Sequence, residues 1–170
     1  MSSVLPNLLD PWRAVDSRLV LVGRLPLSSL PRLRGSLVEA TGDARFRLAF
    51  SRDEAQRAVL RCEVVATLKL RCQRCLEALD HKVSTDTLLA LVLRMDEERH
   101  LPEPYDPLPV SNESIRPGDL IEDELLLALP QIPMHEPTLC ARQLPDVDVA
   151  RMQSGGASPF AVLAELKRRG

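Results

Sequence analysis

The sequence predicts an α+β fold: an antiparallel sheet, open or curled into a partial barrel, with a Cys-x-x-Cys turn, an acidic helix and a C-terminal helix. Three observations predict it. Long stretches of the first half alternate apolar and polar residues with period two, as half-buried strands do. The helix-like patterns come after residue 118 and do not alternate with strands, as a doubly wound sheet would require. Between the two longest alternating runs sits "RCQRC", residues 71–75, with two thiols separated by two residues.

The first strand candidate is "RLVLVGRL" (18–25), followed by "LSSLPRLRGSL" (27–37), a short helix or turn region broken by Pro31 and Gly35. In "ARFRLAF" (44–50), Ala44, Phe46, Leu48 and Phe50 share one face, and Arg45 and Arg47 take the other. Residues 57–70 repeat the pattern, with Leu60, Cys62, Val64, Leu68 and Leu70 inward and Arg57, Arg61 and Lys69 outward. A further strand runs over 79–94, with Leu79, Val83, Leu89, Leu91 and Leu93 in register. The Cys pair therefore falls in the connection at 71–78. From 96 to 118 the chain is acidic and rich in proline, which reads as an excursion with Tyr105 anchoring a turn.

A helix is expected next, with Asp119 as N-cap and Glu122 completing a capping box. Its acids Glu122, Asp123 and Glu124 lie in the first turn, where the helix dipole favours them and solvent reaches them. Leu120, Ile121, Leu125, Ala128 and Leu129 form the apolar side, and Pro130 stops it. "QIPMHEPTLC" (131–140) then carries His135 and Cys140. A last helix starts at Ser158 and Pro159 and ends in Lys167, Arg168 and Arg169. The expected organisation is one α+β domain over 1–150, a flexible linker over 151–158 and a C-terminal helix over 159–170. That helix offers Phe160, Leu163 and Leu166 to its own domain or to a partner.

A chain of 170 residues can bury a core without staples. Its aromatic fraction is 3%, so aliphatic side chains must build that core. The N-terminus has no basic region followed by an apolar run, and no stretch has the ~20 apolar residues of a membrane span. A cytoplasmic location is expected, where thiols stay reduced and a close Cys pair binds metal or does redox chemistry sooner than it forms a staple. The net charge of −2 conceals an asymmetry. Residues 1–80 carry 13 basic and 9 acidic side chains, a net of +4, whereas residues 81–158 carry 6 and 14, a net of −8. Nineteen of the 22 basic residues are Arg, whose planar fork suits phosphate and carboxylate.

Cys62, inward on its strand, reads as a small buried hydrophobe. Cys72 and Cys75 have the spacing of a zinc knuckle, in which one turn aims two thiolates at one ion. Two more ligands are needed, and His135 and Cys140 are the candidates, with His81 and His100 as spares. A Cys72–Cys75–His135–Cys140 site would clip the proline-rich segment to the hairpin and contribute folding energy without catalysis. The gap of 59 residues between Cys75 and His135 leaves a plain turn with free thiols as the competing reading. A thioredoxin-like redox pair fits less well, because it needs a helix directly after the thiols, and "LEAL" is too short for one. No phosphate loop, nucleophile elbow or metalloprotease His pair is present, so an enzyme and a small-molecule substrate are not expected. Arg45, Arg47, Lys69, Arg71 and Arg74 gather around the knuckle and could meet RNA phosphates or a partner, with few aromatics for base stacking.

Four segments together resemble one family. "LRCQRCLEALDHKV", "LPEPYDPLPV", "GDLIEDELLLALPQIPMH" followed by Cys140, and "SPFAVLAELK" occur here in that order, over roughly residues 10 to 168. This arrangement is similar to the bacterial YceD family, the large ribosomal RNA subunit accumulation proteins. The resemblance implies a non-enzymatic role in synthesis, processing or stability of large-subunit (23S) ribosomal RNA. It also implies that RNA, its precursor or ribosomal proteins are the partners. Cys72 and Cys75 match the family's paired cysteines, and Cys140 matches a cysteine after the acidic helix. Many relatives carry further cysteines there, and His135 stands near the place of one of them. A mixed Zn2+ site and the loss of such a site in this chain are both consistent with the pattern. A zinc- or thiol-dependent redox protein and a nucleic-acid-binding regulator are the alternative functions.

Overall fold

The computed structural model describes residues 5–93, 101–110 and 114–141. The expected linker over 151–158, the helix over 159–170 and His100 lie outside the described residues. The chain divides into two compact units, Met1–Glu136 and Pro137–Gly170.

In the first unit, α1 (Pro11–Asp16) opens at "DPW", where the Asp10 carboxylate accepts the N–H groups of Trp12 (3.0 Å) and Arg13 (3.1 Å). The alternating runs form β1 (Val20–Pro26), β2 (Asp43–Arg52), β3 (Ala58–Arg71) and β4 (Ala78–Val92), each antiparallel to the next. Between β1 and β2 lies α2 (Pro31–Arg34), one turn with proline at its start. The inward faces of the strands bury Phe46, Leu48, Phe50, Leu60, Cys62, Val64 and Leu68. Val15 of α1 and Leu33 of α2 are buried in the same core cluster.

The expected antiparallel sheet is corrected to a mixed one, and of the open and partly closed forms expected it takes the open one. A fifth strand, β5 (Tyr105–Pro109), pairs parallel with β4, so the sheet is mixed. The strand order β1-β2-β3-β4-β5 leaves β1 and β5 at opposite edges, so the sheet is open and not a barrel. Pro107 and Pro109 lack an N–H, which confines this segment to an edge position and removes the usual strand signature from its sequence. The segment expected to be a loop anchored by Tyr105 thus contributes a strand, and the Arg57 guanidinium lies 5.0 Å from the centroid of the Tyr105 ring.

The acidic helix is α3 (Pro117–Leu127). It begins two residues before the expected cap, because Pro117 takes the first helical position and Arg116 becomes the N-cap without a side-chain bond. Glu122 does not turn back to close a capping box. Its Oε1 accepts the backbone N–H groups of Arg32 (2.7 Å) and Leu33 (3.0 Å), and its Oε2 accepts Arg32 Nε (2.9 Å). The carboxylate expected to be solvated is buried against α2. Glu124 is buried too and accepts the Thr87 hydroxyl at 2.7 Å. Ile121 and Leu125 complete the core. In the second unit, the described residues form the short helix α4 (Pro137–Ala141).

Candidate metal centre

The connection between β3 and β4 is a tight turn over residues 72–77. Cys72 N donates to Glu77 O (2.9 Å), and Leu76 N donates to Cys72 O (3.0 Å). Closing the turn places Leu76 in the left-handed region, with φ of 64°, a conformation that a side chain with a Cβ adopts at a cost. The turn is tied to the proline-rich segment after α3 by a backbone bond from Gln73 N to Pro133 O (2.9 Å). That bond sets His135, two residues later, beside the thiols.

Cys75 Sγ lies 3.3 Å from His135 Nδ1, and His135 Nε2 lies 3.2 Å from the Ala78 carbonyl oxygen. A carbonyl only accepts, so Nε2 carries the proton and the Nδ1 lone pair faces the sulfur. This is the outer support that a metal-ligating imidazole commonly has. The Arg74 N–H points at Cys72 Sγ from 3.4 Å. Burial pushes the Cys72 thiol up, but the backbone N–H groups of Cys75, His135 and Arg74 outweigh it and bring its pKa down to about 5. Cys62 is the opposite case. Burial, helped by the carboxylates of Glu124, Asp86 and Glu63, pushes its thiol up to about 12, as befits a core residue.

The ligand atoms of Cys72, Cys75 and His135, all in the first unit, lie within 4.8 Å of one another, two thiols and one imidazole that could hold a metal ion, and the buried Cys140 lies on α4 of the second unit. The donor set fits zinc. Tetrahedral ligands at about 2.3 Å from Zn2+ stand roughly 3.8 Å apart, so a contraction of at most about 1 Å would bring these three to that spacing. Soft thiolates with one imidazole form a familiar structural donor set for this ion. His81 sits opposite Leu68 in the β3–β4 ladder and takes no part in the cluster. The chain passes from Cys75 to β4 at Ala78 with no intervening helix, so the helix dipole that activates a thioredoxin-like thiol is missing at this turn.

The five basic residues are less alike than their sequence suggests. Arg45 and Arg47 point outward from β2, and Lys69 and Arg71 lie on the same outward face of β3. Arg47 is paired with Glu63 (2.9 Å) and Lys69 with Glu39 (3.0 Å). Arg74, in the turn, extends its guanidinium to Met134 Sδ at 3.6 Å. Sequence reasoning missed the supports of the cluster, namely the Ala78 and Pro133 carbonyls. Backbone groups leave no trace in residue type, so no sequence signal could have found them.

Comparison with known proteins gives a consistent result. A family model described as "Large ribosomal RNA subunit accumulation protein YceD" matches residues 60–167. A curated relative of that description from Haemophilus influenzae is 32% identical over 169 residues, covering 97% of each chain. No solved structure matches this chain.

Proposed function

The chain belongs to the YceD family, and from that premise we propose that it acts in the accumulation of large-subunit ribosomal RNA, as a factor in ribosome biogenesis and not as an enzyme. The observation that carries this reading is the near-complete overlap with the Haemophilus influenzae relative, 97% of each chain. Large-subunit RNA, its precursor or a ribosomal protein is the partner, met through the basic residues Arg45, Arg47, Lys69, Arg71 and Arg74 around the turn. Arginine and lysine there contact phosphates and position the chain on RNA, with little reading of sequence. Among the described residues no helix is long and apolar enough to cross a membrane.

Cys72, Cys75, His135 and Cys140 hold Zn2+ in this reading. Bound there, the ion supplies a structural crosslink: it ties the β3–β4 turn to the segment that leaves α3. Four protein ligands leave no coordination position open for a substrate, unlike a catalytic zinc site with three. The residues themselves do the rest, with His135 oriented by Ala78 and Cys72 supported by backbone N–H groups.

Deleting the gene and measuring large- against small-subunit ribosomal RNA tests the functional reading. The ratio is expected to fall and to recover when the chain is supplied from a plasmid. An unchanged ratio in the deletion strain would refute it.

A further inference from the structure

The outward face of the sheet separates neutralised cations from free ones. Across it, Arg47 meets Glu63, Arg61 Nε meets Asp86 at 2.7 Å, and Lys69 meets Glu39. Among the described residues Arg24, Arg45, Arg71 and Lys82 of this face make no ion pair, and two of them face each other. In the β1–β2 ladder Arg24 stands directly opposite Arg45, and both are exposed. Among the described residues neither has a carboxylate within ion-pair distance. Like charges in directly opposed positions destabilise a strand pair, by up to about 1 kcal/mol. An anion placed between them reverses the sign of that contribution.

Beside this pair the surface is hollow. A depression of about 300 Å3 is lined by Arg45, Thr41, Asp43, Thr67, Lys69 and Asp80. Its lining brings the hydroxyls of Thr41 and Thr67 and the carboxylates of Asp43 and Asp80, which accept hydrogen bonds, beside Arg45 and Lys69. An acidic peptide would be repelled by Asp43 and Asp80. A ribose would not, because its 2′-hydroxyl donates to such groups while the neighbouring phosphate meets Arg45. Exposed Val22 and Val65 flank the arginines and offer apolar contact to the sugar.

We propose that Arg24 and Arg45 form a phosphate clamp for an RNA backbone, with the adjoining hollow receiving a ribose through its 2′-hydroxyl. The clamp rests on the ribosomal RNA reading above and deepens it. It adds Arg24 to the contact set, and it assigns Arg47 and Lys69 a smaller share because each already has an acidic partner. Phosphate contact of this type is independent of base sequence and strongly dependent on salt. The 2′-hydroxyl contact supplies the discrimination between RNA and DNA.

The test is fluorescence anisotropy of the full chain with a labelled single-stranded fragment of large-subunit RNA, titrated over a range of salt concentrations. Arg24→Gln/Arg45→Gln is expected to weaken binding about tenfold or more at about 0.1 M salt, and to reduce the slope of log K against log salt by about 0.7, the share of one phosphate on a single strand. Arg52→Gln/Asp16→Asn removes an ion pair outside the contact set and is expected to leave the slope unchanged. DNA of the same sequence is expected to bind more weakly than RNA. Circular dichroism and thermal melting confirm that each variant is folded. Wild-type affinity and slope in the folded Arg24→Gln/Arg45→Gln variant would overturn the clamp, and so would a wild type that ignores RNA. Equal affinity for RNA and DNA would overturn the role of the hollow. In cells, a deletion strain rescued fully by the double variant would refute the clamp while the ribosomal RNA reading stands. A deletion without effect on the RNA would refute that reading itself.

Discussion

Replacing Glu122 by alanine should destabilise the protein by about 3–5 kcal/mol, most of it from backbone donors left without an acceptor. The side chain is 2% exposed and accepts three hydrogen bonds, from Arg32 N, Leu33 N and Arg32 Nε. Two of those donors are orphan N–H groups at the start of α2, and each costs about 1–3 kcal/mol when buried without an acceptor. The guanidinium of Arg32 is half-exposed and keeps Asp123 at 2.6 Å, so its loss adds little. Against a total stability of about 5–15 kcal/mol the effect is large. Urea unfolding at constant m-value measures it. Glu122→Gln keeps one acceptor oxygen for the two backbone donors and should lose less than Glu122→Ala. Burial raises the Glu122 pKa, but the Leu33 N–H and Arg32 outweigh it and hold it below the ordinary carboxylate value. Its stabilisation is therefore complete above the pKa of the unfolded chain and lost as pH falls through the lower folded value. Glu122→Gln should flatten that part of the acid-stability profile. A cost under about 1 kcal/mol for Glu122→Ala would refute the reasoning, since even one uncompensated buried donor exceeds it.

Metal analysis of purified protein should find about one zinc per chain, and Cys75→Ser should remove most of it. Chelation should lower Tm by about 6–12 °C, the equivalent of about 3 kcal/mol in a chain of this size, and an unmoved Tm in metal-free protein would refute the site. Iodoacetamide at mildly alkaline pH should spare Cys62 in the native protein and modify it after unfolding, because burial pushes its thiol up to about 12. Mass spectrometry of the peptides reads the difference, and native labelling at the rate of an exposed thiol would contradict the burial. Arg61→Gln should cost no more than about 1 kcal/mol in urea unfolding despite its short contacts with Asp86, because both side chains are about half-exposed. A loss above about 2 kcal/mol would show that the outer face is more than a solvated ladder.

The four antiparallel strands were legible because burial of one face writes itself into every second residue. Ala44, Phe46, Leu48 and Phe50 are all buried, and Arg45 and Arg47 between them are exposed. Where another constraint governs residue choice, that record is lost. In β5 two prolines in five residues suppress the strand pattern, and only the pairing with β4 reveals it. Glu122 carries the letters of a capping box, yet its partners lie about 90 residues away, a relation set by packing and not by local spacing. Of the candidate site, the gap between Cys72 and Cys75 was legible and the distance to His135 was not. A span of 59 residues encodes no geometry until β4 and α3 return the chain to the turn.

The way the turn is held bears on what its thiols do. A reactive cysteine needs access and freedom to reach a second reactant. At this turn the backbone bonds from Cys72 N to Glu77 O and from Gln73 N to Pro133 O fix both flanks, and Cys72 is buried. Leu76, with φ of 64°, holds the left-handed conformation that closes this turn. Arg74 lies in this turn and Arg71 just before it at the end of β3, whose outward face continues toward Arg45 and Arg24. Fixing the turn thus fixes the end of the surface on which the proposed RNA contacts lie. Loss of metal should then weaken RNA binding through disorder at Arg71 and Arg74, and leave the salt contribution of Arg24 and Arg45 intact. A salt titration of RNA binding by chelated, still folded protein separates the two: a slope reduced by more than about 2 would mean that the clamp itself depends on the metal.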